Sequence, residues 1–201
     1  MNKGRIIVFS APSGCGKGTM LGEILKDERF HLSVSATTRA PREGEKDGVN
    51  YHFITREDFM KRVDNGEFLE HAEYCDNLYG TLRSEVIPFI EEGKNVILEI
   101  EVKGAMQMRE KYPDAMFVFI APPSMAEIRR RLLKRGTETE DVIEKRIAQA
   151  TMELGYAQDY DYIIVNDALE DAVADFFTVI RAEQLRAPFR SDHIDEVRKN
   201  A

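Results

Sequence analysis

The feature that most constrains this chain is a junction. The apolar run Arg5-Ile6-Ile7-Val8-Phe9 leads into a glycine-rich turn, and a helical pattern follows in which Met20, Leu21, Ile24 and Leu25 share a face. A short, near-continuous apolar run marks a parallel strand buried on both sides. Val96-Ile97-Leu98, Met116-Phe117-Val118-Phe119-Ile120 and Tyr162-Ile163-Ile164-Val165 repeat that signature. Helical patterns over about 103–111, 125–134, 140–157 and 168–186 separate them; in the last, Val173, Phe176, Phe177 and Ile180 share a face. Strands alternating with helices predict an α/β fold, a parallel sheet with helices on both faces.

Two stretches break the rhythm. Residues 33–87 carry a helix pattern at Arg56–Asn65 and short strand candidates near Asn50–Thr55 and Phe68–Tyr74, and they read as an inserted small α+β module. Residues 124–158 hold two helices with start signals at Ser124-x-x-Glu127 and Thr137-x-x-Glu140. The basic link Lys134-Arg135-Gly136 lies between them, so this stretch reads as a helical lid. The core is then 1–32, 88–123 and 159–201, with a polar tail after Pro188 open to partial fraying.

The turn after the first strand is Ala11-Pro12-Ser13-Gly14-Cys15-Gly16-Lys17-Gly18-Thr19. Glycines there let successive backbone N–H groups face one anion, and the helix that follows adds its positive dipole end. This is a phosphate loop (P-loop), with Lys17 placed to reach β- and γ-phosphates. It departs from G-x-x-x-x-G-K-[ST] at Ala11, which replaces the first glycine, and at Gly18, which replaces the hydroxyl residue, Thr19 following one position later. Without that hydroxyl, Mg²⁺ is expected to be held through water and ATP phosphates. A thiol near a helix N-terminus and Lys17 would favour a reactive thiolate at Cys15, and the competing reading is a small, buried, inert cysteine chosen for packing.

Composition limits the partners. With 28 basic and 36 acidic residues the formal charge is −8, which argues against broad nucleic-acid or membrane binding. No apolar run approaches the roughly 20 residues of a membrane span. Met1-Asn2-Lys3-Gly4-Arg5 enters the first strand without a signal-peptide pattern, and Cys15 and Cys75 show no metal or redox spacing. A cytoplasmic protein is the expectation, with no obligate protein partner evident.

A second basic cluster lies in Ser33-Val34-Ser35-Ala36-Thr37-Thr38-Arg39-Ala40-Pro41-Arg42-Glu43-Gly44-Glu45. Pro41 holds an extended or turning backbone, so the Arg39 and Arg42 forks can converge on one phosphate. Tyr51, Phe68-Leu69-Glu70 and Tyr79-Gly80-Thr81 follow. This ordered set resembles the guanylate kinases, which carry S-x-T-T-R-x-P-R-x-G-E, a Tyr, F-[IL]-E and Y-G-[ST]. The resemblance runs over about residues 4–187 and includes the Val165-Asn166-Asp167 strand end.

The resemblance implies transfer of the γ-phosphoryl group of ATP to GMP, with ATP as co-substrate and Mg²⁺ required. It implies that Ser35, Arg39, Arg42, Tyr51 and Tyr79 grip the GMP phosphate. Glu70 would accept bonds from guanine N1–H and the 2-amino group, Thr81 would bond the O6 edge, and Glu101 would help read the 2-amino group. Lys17, Arg42, Arg135 and Arg146 form the implied catalytic set. The phosphate loop from Ala11 to Thr19, with Arg131, Asn166 and Asp167, would bind ATP. No protein ligand for magnesium is fixed, and Glu99 is the candidate. No general base is required, because a phosphate monoester with its second pKa near 6 arrives largely ionised.

Two other readings remain open, and a third is disfavoured. Another nucleoside monophosphate kinase would share the core but not the guanine-reading set. A switch GTPase would need an Asn-Lys-x-Asp motif, which is absent. A peptide-binding scaffold module related to guanylate kinases would not need Lys17, Arg135 and Arg146.

Overall fold

The computed structural model describes residues 4–74, 76–135 and 139–199, the side chains of Arg135, Ser191, Asp192 and His193 excepted. The strands are β1 (Ile6–Ser10), β2 (Phe30–Leu32), β3 (Ala36–Thr37), β4 (His52–Phe53), β5 (Phe68–Tyr74), β6 (Asn77–Leu82), β7 (Asn95–Glu99), β8 (Met116–Ala121) and β9 (Tyr162–Val165). The helices are α1 (Lys17–Ile24), α2 (Arg56–Asp64), α3 (Ile87–Glu91), α4 (Val102–Lys111), α5 (Met125–Arg135), α6 (Glu140–Leu154), α7 (Leu169–Gln184) and α8 (Ser191–Lys199).

The core sheet has the order β2-β7-β1-β8-β9, and all its pairs are parallel. Its apolar strands feed two cores by simple alternation, because neighbouring side chains on a strand point to opposite faces. Ile7, Phe9, Ile97, Met116, Val118 and Ile120 pack with Met20 and Ile24 of α1 and Phe176 and Ile180 of α7. Val8, Val96, Leu98, Phe117 and Phe119 pack on the other face with Val102, Ala105 and Met108 of α4. The expected parallel sheet with helices on both faces is what forms.

The inserted stretch makes a second sheet, β4-β3-β6-β5, in which only the β3–β4 pair is parallel. Its small core stacks Phe59 of α2 on Phe68 of β5 at 4.5 Å. The Thr55 hydroxyl accepts the Asp58 N–H and caps α2, while Asp76 turns the β5–β6 hairpin with φ 63°. The module is seated against the core through β5 and α4: Gln107 donates to the His71 carbonyl at 2.8 Å, and Leu69 joins the α4-side core.

Helices α5 and α6 pack together through Ile128, Leu132, Ile143 and Ala150. Ser124 accepts the Glu127 N–H as expected of a cap. Two expectations need correction. Lys134 and Arg135 continue α5 rather than forming a link, and α6 is entered from Thr139; Thr137 and Gly136 lie outside the described residues. The tail forms α8, with Phe189 just before it lying under the Arg5 guanidinium at 3.9 Å.

Candidate active site

The phosphate loop joins β1 to α1, as its composition predicts. Gly14 and Gly16 have φ of 88° and 80°, a region in which side chains are strained. Gly16 is also closely approached, since a Cβ there would lie 2.8 Å from the Asn166 amide nitrogen and displace it. Gly18 is different: nothing lies within 4 Å of its Cβ position.

The loop is held from three sides. Asn166, at the end of β9, donates from its side-chain amide to the Cys15 carbonyl at 2.7 Å. Arg131 of α5 donates to the same carbonyl at 3.3 Å and to the Asn166 carbonyl at 3.0 Å. Glu127, one helical turn earlier, fixes the Arg131 guanidinium at 2.7 Å. From α6, Arg146 donates to the Ser13 hydroxyl at 3.2 Å. Asn166 is therefore buried and bonded to the loop, and it also lines the cavity where the resemblance implies an adenine contact.

Cys15 follows the packing reading of the two left open. Its side chain is fully buried in the small core between α5 and α6. Burial pushes the thiol up to about 12, outweighing the opposing pull of Arg131 and Lys17. It is an inert core thiol; Cys75, the other cysteine, lies outside the described residues.

Two cavities flank the loop. One, of about 490 Å³, is lined by Gly14, Gly16, Thr19, Arg131, Asn166 and Asp167 among others. The other, of about 250 Å³, lies between the core and the inserted module. Lys17, Ser35, Arg39, Arg42, Tyr51, Glu70, Tyr79, Glu99 and Glu101 all line it, although they come from five separate parts of the chain.

Within the second cavity Arg39 is oriented by Glu45, which accepts from its guanidinium at 2.9 and 3.0 Å and from the Arg42 backbone N–H at 2.7 Å. Tyr51 and Tyr79 meet edge to face, and Arg39 lies 5.4 Å from the Tyr51 ring centre. Lys17 Nζ is 3.3 Å from Glu99 Oε1 at the end of β7. Much of Glu101 meets solvent. Its carboxylate nevertheless faces the cleft, where burial and the neighbouring Glu153 push it up to about 7.

Glu70 is the most enclosed of these groups, with only 3% of its surface exposed. Burial raises its pKa, and the hydroxyl of Thr81, donating to Oε1 at 2.7 Å, pulls the other way. Thr81 is itself fully buried and does not line the cavity. Its proton is directed at Glu70, so the implied bond to a guanine O6 edge is not what this geometry provides. Sequence reasoning also assigned no role to Glu45 or Gly104, both of which line the cavity. Glu45 stood in the quoted motif; Gly104 carried no local signal.

Arg135 closes α5, but its side chain lies outside the described residues. Arg129, which no reading selected, ties the lid helices together by bonding Glu140 at 3.0 Å and also Glu144. Among the described residues no group of three or more His, Cys, Asp or Glu side chains could hold a metal ion.

The chain was compared with known proteins. A guanylate kinase of Clostridium perfringens (strain SM101 / Type A) is 46% identical over 200 residues, covering 99% of this chain and 93% of that protein. The guanylate kinase of Latilactobacillus sakei subsp. sakei (strain 23K) is 48% identical over 93% of each chain. Among solved structures, guanylate kinase from Anaplasma phagocytophilum superposes with a TM-score of 0.76 at 36% identity, covering 92% of this chain and 89% of that one. The family model described as guanylate kinase matches residues 3–183, and the chain belongs to the guanylate kinase family.

Proposed function

We propose that the protein transfers the γ-phosphoryl group of ATP to GMP, giving ADP and GDP. The observation that carries this reading is the pair of cavities that meet at one phosphate loop, with Lys17 facing the acceptor side. A GMP phosphate oxygen attacks the γ-phosphorus, the bond to the β,γ-bridging oxygen breaks, and ADP leaves with that electron pair. The attacking oxygen is already ionised at neutral pH, so the protein contributes alignment and positive charge.

In this reading Ser35, Arg39, Arg42, Tyr51 and Tyr79 hold the GMP phosphate. Glu70 accepts from guanine N1–H, with Glu101 beside it. Adenine offers no N1–H, and its N1 lone pair would face a buried carboxylate; a site built for a donor rejects such analogues by about 10⁴. The loop from Ala11 to Thr19 carries the ATP phosphates, with Arg131 and Asp167 on the adenosine side. Lys17, Arg135 and Arg146 balance the charge that develops during transfer. Asn166 and Thr81 act through the groups they orient.

Magnesium enters as part of the nucleotide substrate. The donor set fits that role: Gly18 has no hydroxyl, and Glu99 is the carboxylate beside Lys17 at the loop. An ion ligated by phosphate oxygens and water suits magnesium's reluctance to dehydrate. Residues 33–87 and 124–158 act as the parts that close over the core (1–32, 88–123, 159–201) and exclude water. No described helix is long and apolar enough to cross a membrane, and we place the reaction in the cytoplasm.

Steady-state assay with ATP against GMP, AMP, CMP and UMP tests the reading. GMP is expected to lead in kcat/KM by at least about 10²-fold. Comparable use of two monophosphates, or no turnover of any, overturns it.

A further inference from the structure

Glu70 has two carboxylate oxygens in different surroundings. Oε1 takes the Thr81 hydroxyl at 2.7 Å. Oε2 lies against the first turn of α4, over Gly104. A Cβ built on Gly104 would be 2.5 Å from Glu70 Oε2 and 3.2 Å from its Cδ, the first a distance real Cβ atoms essentially never show. Gly104 is not among the glycines with positive φ, so its backbone conformation suits any residue. It sits at the third helical position of α4, where glycine is a poor helix former. The local chemistry of the helix therefore favours alanine here. What disfavours alanine is the carboxylate alone: no other atom lies closer than the 3.7 Å to Ile100 Cβ.

We propose that Gly104 is a specificity-determining position for the acceptor. Its missing side chain lets the Glu70 carboxylate lie flat against α4, where Thr81 holds one oxygen and the carboxylate edge faces the cavity. The helix N-terminus at this point also favours a negative charge. Any side chain at 104 meets the far end of Glu70, which must shift against its bond with Thr81 and thereby loses its register with the base. This inference rests on the reading of Glu70 as the guanine acceptor. Gly104 is a positioning residue: it acts through Glu70 and needs no contact with the nucleotide.

The test is a cycle of Gly104→Ala, Glu70→Ala and the double variant, read by GMP and ATP titration and by thermal unfolding. Gly104→Ala is expected to raise KM for GMP about tenfold or more, as loss of a charge-assisted bond implies. KM for ATP stays within about twofold. In the Glu70→Ala background the same substitution adds no further loss of GMP binding, since coupled residues are not additive. If Gly104→Ala leaves GMP binding intact while Glu70→Ala weakens it, the inference is overturned and the Glu70 reading stands. If Glu70→Ala has no effect on GMP, both fall. Should Gly104→Ala unfold, recovery of stability in the double variant supports the proposal, and absence of recovery overturns it.

Discussion

The side-chain amide of Asn166 holds the carbonyl of Cys15 at 2.7 Å, joining the end of the last core strand to the middle of the phosphate loop. With Arg131 on the same carbonyl, the loop is fixed by two elements distant in sequence. Asn166→Ala is expected to cost about 1–2 kcal/mol of stability, the range for a buried hydrogen bond with a second partner left in place. Its kinetic signature is a rise in KM for ATP larger than that for GMP, measured by initial rates with each substrate varied in turn.

Lys17 of the loop faces Glu99, and Arg146 of α6 reaches the loop at the Ser13 hydroxyl. Lys17→Ala, Arg146→Ala and Arg135→Ala are each expected to lower kcat by roughly 10²-fold or more, with smaller changes in GMP affinity. Single-turnover rates near wild type in all three would remove the assigned mechanism.

Glu70→Gln preserves shape and replaces one acceptor by a donor. The Thr81 hydroxyl can still be accepted by the amide oxygen, which leaves an NH₂ facing another N–H. GMP efficiency is expected to fall by about 10²-fold or more, with KM for ATP unchanged. Parallel titration of both nucleotides checks this.

Cys15 is expected to resist alkylation. Buried between α5 and α6 with its thiol pushed up to about 12, it offers neither access nor thiolate. Mass spectrometry after limited iodoacetamide treatment is expected to show Cys15 unmodified with or without ATP, and labelled once urea unfolds the chain. Rapid native labelling at Cys15 contradicts the packing described here.

The strand residues of the core were legible because a parallel strand covered on both faces needs an unbroken apolar run. That holds for β1, β7, β8 and β9. It fails for β2, since Phe30-His31-Leu32 is short and lies at the sheet edge, and for β3 and β6, which are polar or brief and gain their pairing from one another. The acceptor cavity was legible through its motif residues, which line it together. Charge and motif position could not show that Thr81 serves Glu70, nor that Asn166 serves the loop, because both facts depend on burial. The choice between the two readings of Cys15 was hidden for the same reason: proximity to Lys17 is visible in sequence, and enclosure by Ile128, Leu132 and Ile143 is not. Gly104 was invisible because its contribution is an absence of atoms opposite a residue far away in the chain.

Glu183 of α7 gathers Arg5 at 2.8 Å and Tyr162 at 2.7 Å, with Arg186 at 3.3 Å. Burial raises its carboxyl pKa, but these bonds outweigh it and the net position lies below the ordinary 4.5. A carboxyl lowered in the folded state contributes stability above its unfolded pKa and loses it as pH falls through the folded value. Glu183→Gln is expected to be less stable than wild type by about 1–3 kcal/mol at pH 7. The gap narrows as pH drops below 4.5. Urea unfolding of both proteins at pH 7 and at acid pH measures it; a gap that stays constant separates Glu183 from the effect.

β2 and β7 lie side by side in the core sheet, with Leu32 opposite Ile97, although the whole β3–β6 module is threaded between them. The chain thus leaves and re-enters the sheet at one edge. Inheritance can treat the two halves of the reaction separately: drift in the peripheral hairpin alters which base is accepted, while the strands that seat the phosphate donor keep every hydrogen bond. The seam where β5 meets α4 is a place where such drift must be matched by a change in the core.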